Sequence, residues 1–76
     1  MTEKEFLKFL ENYDIECVLV THTLFTILDS THSLKWYWEV KIFFTNKHLE
    51  IGRGETRSKG FDDAKNKILS FFKISE

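Results

Sequence analysis

The sequence predicts an α+β domain, a three-stranded antiparallel sheet with two helices packed on one face, in the order α-β-β-β-α. Three observations predict it. The stretch Leu34–Phe44, LKWYWEVKIFF, puts an apolar residue at every even position, which is the period-two alternation of a half-buried strand. The stretches 2–13 and 61–73 each carry one apolar stripe at helical spacing, so each has one face to bury. Between them, two further runs rich in Val, Ile, Leu, Thr and Phe flank the central strand, joined to it by a polar loop and a short turn.

The 76 residues form one domain spanning the whole chain. A chain of this size buries only about 60% of its unfolded surface, so its core depends on large side chains. Eight Phe and two Trp meet that need, each ring burying roughly 150–250 Å². The net charge of −1 argues against a general polyanion binder. The charge is uneven, however: residues 1–33 hold two Lys against six acids, and the rest of the chain holds nine Lys or Arg against six acids. Cys17 is the single cysteine and stands in an apolar run, which predicts a small core hydrophobe in a reducing compartment. No leader precedes Thr2 and no apolar run reaches the length of a membrane span, so a cytoplasmic protein is expected, in a host cytoplasm if phage-encoded.

In chain order, Thr2 with Glu5 three residues on is a capping box opening the first helix, which is expected to run to Tyr13. Phe6, Phe9, Leu10 and Tyr13 form its stripe, and Leu7 widens it. Residues 15–28 read as the first strand, with a bulge or bend at Thr21-His22-Thr23 and no settled phase of alternation. In the central strand, the even face bearing Trp36 and Trp38 is expected in the core, and Tyr37, Glu39, Lys41 and Phe43 on the other side. Asn46 is the turn residue best suited to a positive φ, ahead of a third strand at 48–51. Gly52 to Gly60 is expected to link strand to helix, its glycines serving a bulge or tight exit. The second helix follows over 61–73, with Phe61, Ala64, Ile68 and Phe71 or Phe72 as its stripe, Leu69 widening it, and Asp62 and Asp63 in its first turn.

This layout resembles the double-stranded RNA-binding domain. That family has a His in the first strand loop four residues before an aromatic, and His32 stands four before Trp36. Gly52-Arg53-Gly54-Glu55-Thr56-Arg57-Ser58-Lys59 is similar to its run into the last helix, and Ala64-Lys65-Asn66 is similar to its A-K-N segment. The resemblance implies a non-catalytic module that engages structured or double-stranded RNA, or an RNA–protein complex. Arg57, Lys59 and Lys65 would then be phosphate contacts, His32 a minor-groove contact and Arg53 an accessory charge. The family's lysine cluster is incomplete here: Gly60 takes its second lysine position, and Asp62 and Asp63 stand close to where phosphate would approach.

Two alternatives stay open. In size, near-neutral charge and lack of catalytic residues the chain is similar to phage anti-CRISPR proteins, a similarity of kind that no motif carries. A small inhibitor of that sort would bind a protein, such as a nucleic-acid-handling effector, through Tyr37, Glu39, Lys41 and Phe43. More distantly, the layout is similar to ribonuclease toxins of the HicA type, with His32 as the catalytic residue, although that family's strand-borne Gly-Ser-His is missing. No enzyme activity is expected, because no nucleophile–base pair or paired carboxylates stand out. No cofactor, metal or membrane is expected, since His22 and His48 lack a second ligand at metal spacing.

Overall fold

A computed structural model describes residues 1–26 and 34–75. The elements are helix α1 (Glu3–Leu10), strands β1 (Ile15–Thr26), β2 (Leu34–Phe44) and β3 (Leu49–Gly54), and helix α2 (Arg57–Ser75). The sheet is antiparallel with order β1-β2-β3, as the sequence predicts.

The capping box forms. Thr2 Oγ1 accepts from the Glu5 backbone N–H at 3.2 Å, and Glu5 Oε1 accepts from the Thr2 N–H at 3.2 Å. The Thr2 N–H and the Thr2 hydroxyl both donate to the Glu5 carboxylate and hold it below the ordinary glutamate range. The helix is shorter than expected, ending at Leu10, where the Asn12 side chain donates to the Phe9 carbonyl at 3.2 Å. Phe6 and Leu10 are buried, and Phe9 and Tyr13 pack against the core, but Leu7 is exposed.

The β1 bulge lies between Ile15 and Cys17, not at Thr21-His22-Thr23, where pairing with β2 is continuous. The extra residue, Glu16, resets the phase of alternation. Ile15, Val18 and Val20 all pack against the core, which an unbroken alternation could not arrange. The same reset turns Cys17 outward, so it is exposed and not a core residue.

β3 is longer than expected and takes in Gly52, Arg53 and Gly54. The glycines serve a close approach and not a bulge. A Cβ at Gly52 would stand 2.4 Å from the Ala64 backbone N, and one at Gly54 would stand 2.5 Å from the Gly60 backbone N. α2 therefore lies directly on β3. It also begins four residues earlier than expected, at Arg57, where the Thr56 hydroxyl accepts from the Lys59 N–H at 3.1 Å. Asp62 and Asp63 consequently lie past the first turn. Asp63 accepts from the Arg53 backbone N–H at 2.8 Å and pairs with Lys67 at 3.2 Å. Lys67 also donates to the Ile51 carbonyl at 2.7 Å. The outer backbone edge of β3 is thus occupied by one ion pair. In the β2–β3 turn Lys47, not Asn46, takes the positive φ, 75°. Asn46 instead accepts from the His48 N–H at 3.0 Å.

The core holds Phe6, Leu10, Val40, Ile42, Phe44, Phe61, Ala64 and Ile68. Leu69 does not widen the α2 stripe and is exposed. Contacts run in step along the two helices. Arg57 meets Glu3, the Phe6 ring stacks on Phe61 at 5.0 Å, Lys65 lies over Phe9, and Tyr13 meets Phe72 at 4.8 Å. α1 and α2 therefore lie side by side in the same direction, and both begin at the end of the sheet nearest Trp38.

Candidate binding surfaces

The helices cover one sheet face and leave the other open. Val40, Ile42 and Phe44 mark the covered side, so the odd positions of β2 point the other way. Tyr37, Glu39, Lys41 and Phe43 share this open face, as the alternation predicts. Their cross-strand neighbours complete it in rows: Cys17, Phe43 and Leu49; Leu19, Lys41 and Ile51; Thr21, Glu39 and Arg53.

The rows divide the face into two zones. Toward the β2–β3 turn it is apolar, with Leu19 at 49% and Leu49 at 40% exposure. Beside this patch, Glu39 is only 6% exposed although no helix covers it. Arg53 Nε reaches one carboxylate oxygen at 2.9 Å and Lys41 Nζ the other at 3.4 Å. Burial pushes the Glu39 carboxyl upward, but the hydrogen bonds from Arg53 and Lys41 outweigh it and leave the group below the ordinary range. β3 is inverted relative to the usual pattern of apolar side chains toward the core. Leu49 and Ile51 face outward, while His48 and Glu50 face the helix layer, with the His48 ring stacked on Phe71 at 3.7 Å. The inversion follows from Gly52 and Gly54. α2 approaches the strand too closely at those positions to leave room for a side chain beneath it.

The sequence-predicted RNA contacts do not form one cluster. Arg53 lies with Glu39 on the open face, across the sheet from α2. Arg57 pairs with Glu3 at 2.8 Å, and Lys65 lies 5.4 Å from the Phe9 ring centroid. Lys59 is exposed on the first turn of α2. His32 lies outside the described residues.

A second surface stands where the helices begin. The β1–β2 pair extends past them, so the even face of β2 is covered only from Trp38 onward. The expectation that Trp36 lies in the core is therefore corrected: Trp36 is 57% exposed and Leu34 60%, while Trp38 is half-buried. His22 stacks on Trp38 at 4.5 Å with the rings 8° apart, and meets Trp36 at 4.9 Å. The Arg57 guanidinium lies 5.4 Å from the Trp38 ring centroid. The sequence shows period two here but not where the cover stops, and that is why this shelf of rings is missed. Leu19, Leu49 and Ile51 are missed as surface residues because the phase of β1 and the facing of β3 depend on the Glu16 bulge and on Gly52.

Comparison with family models, curated proteins and solved structures finds no match for this chain.

Proposed function

We propose that this chain is a non-catalytic binding module that docks its open sheet face on a partner protein, acting as an inhibitor by occupying that partner's surface. One observation carries the reading: β3 turns Leu49 and Ile51 away from the core, beside Phe43 and the half-exposed Leu19. A domain this small has few large apolar side chains to spare, and a contiguous outward patch of them marks an interaction surface. Lys41 and Arg53 border it as two cations sharing one carboxylate. The complementary surface is apolar at its centre and acidic at its edge. Aromatic and aliphatic anchors at the middle of such an interface carry most of its affinity.

A second reading, direct binding of structured RNA, is favoured by a separate observation. Arg57 and Lys59 both sit exposed in the first turn of α2, where their charge adds to the positive end of the helix. Arg57 lies over the Trp38 and Phe61 rings, and its ion pair with Glu3 is half-exposed, of the kind worth about 0–1 kcal/mol, which a phosphate can displace.

The experiment recovers partners of the tagged protein from cells, with and without nuclease, and then measures the salt dependence of binding to the purified partner. Protein docking predicts recovery that survives nuclease, a shallow salt slope, and loss with Phe43→Ala or Leu49→Lys but not with the Arg57→Ala/Lys59→Ala pair. Recovery abolished by nuclease, with a steep salt slope that the Arg57/Lys59 pair flattens by about 1.5 units, would replace this reading with the RNA one.

A further inference from the structure

The geometry points to a second binding site, on the covered side of the sheet, in which the His22–Trp36–Trp38 shelf stacks an unpaired nucleobase while Arg57 and Lys59 hold the two adjoining phosphates. Neither open-face docking nor a duplex is needed for it.

The rings are placed by strand register. His22 and Trp38 are direct cross-strand partners and Trp36 lies on the diagonal, so the three side chains rise from the sheet as neighbours. α2 starts at Arg57 and leaves the Trp36 end of this row uncovered. Leu24, 44% exposed, borders the row as the cross-strand partner of Trp36. A large indole that meets a neighbouring ring and is more than half exposed offers what base stacking needs, an accessible flat apolar surface.

Charge selects the occupant. Among the described residues, Arg57 is a cation that lies against these rings, its guanidinium over Trp38. Lys59 is adjacent, since a Cβ on Gly54, the strand partner of Trp38, would meet the Lys59 Cβ at 2.6 Å. The acids paired at this end are Glu3, with Arg57, and Asp62, with the N-terminal ammonium, and both are half-exposed. A partner that presents a planar ring and, one backbone step away, an anion satisfies both parts at once. An unpaired nucleotide has that arrangement. A base inside a duplex does not, because its faces are already stacked.

The test measures binding of a short oligouridylate by fluorescence anisotropy and by tryptophan emission at low salt. It is compared with an abasic oligomer of the same length and with a blunt RNA duplex. The oligouridylate should bind and quench the emission, with a log–log salt slope near −1.4 for two phosphate contacts on a single strand. Trp36→Ala should weaken it by roughly 5- to 100-fold, Trp36→Phe should restore most of the loss, and Arg57→Ala should flatten the slope. Tyr37→Ala, on the opposite face, should change nothing. Circular dichroism shows whether each variant is folded, and the exposure of Trp36 makes loss of the fold unexpected. Absence of binding, equal affinity for the abasic oligomer or the duplex, or an unchanged affinity in folded Trp36→Ala would each overturn the assignment.

Discussion

The two halves of β2 carry the same pattern and meet different fates. From Val40 to Phe44 the even positions are buried under α1 and α2, whereas from Leu34 to Trp36 an equally regular alternation stands in solvent. Alternation states which side chains share a face. It does not state how far the opposite layer reaches. Here the reach is set by the first residue of α2, and so by Thr56 and its cap on the helix.

The contrast breaks most readily in its buried half. Ile42→Ala removes a fully buried side chain and should cost about 2–5 kcal/mol, read from the midpoint of urea unfolding. A loss below 1 kcal/mol would mean that the covered half is not the core. Gly52→Ala tests the cover itself. Its new methyl meets the Ala64 backbone, so α2 must move, at about 1–3 kcal/mol. A variant with an unchanged melting temperature would show that the helix does not rest on β3. Trp36→Ala should leave stability within about 0.5 kcal/mol. If it instead costs as much as Ile42→Ala, the distal half is packed after all and the two halves are alike.

The odd face sharpens the comparison by pH. The folded Glu39 carboxyl lies below its ordinary value, so its stabilising contribution is full above the unfolded glutamate range. It is lost as pH falls through the lower folded value. Unfolding measured across acid pH should therefore show a stability loss that Glu39→Gln flattens. A wild-type profile matching the variant's would remove Arg53 and Lys41 as its partners.

What was legible in the sequence is the part fixed by local chemistry. The Thr2–Glu5 box, the bounds of β2 and the Phe6 and Phe61 stripes needed only spacing to be read. What was not legible depended on distant contacts. Cys17 reads as a core residue until the bulge at Glu16 is known. Arg53 reads as part of the α2 basic run until Gly52 and Gly54 prove to be strand residues, which puts its side chain across the sheet beside Glu39. Of the candidate sites, the odd-position group on β2 could be read because one strand determines it. The ring shelf could not, because it depends on where a helix begins.

The ion pair on the outer edge of β3 has a consequence for assembly. With Asp63 on the Arg53 N–H and Lys67 on the Ile51 carbonyl, a strand arriving at that edge must first displace both, whereas no described helix or ion pair occupies the outer side of β1 in the same way. The β3 edge is thereby blunted against the edge-to-edge pairing that an open strand invites, and the protection comes from the same helix that covers the core.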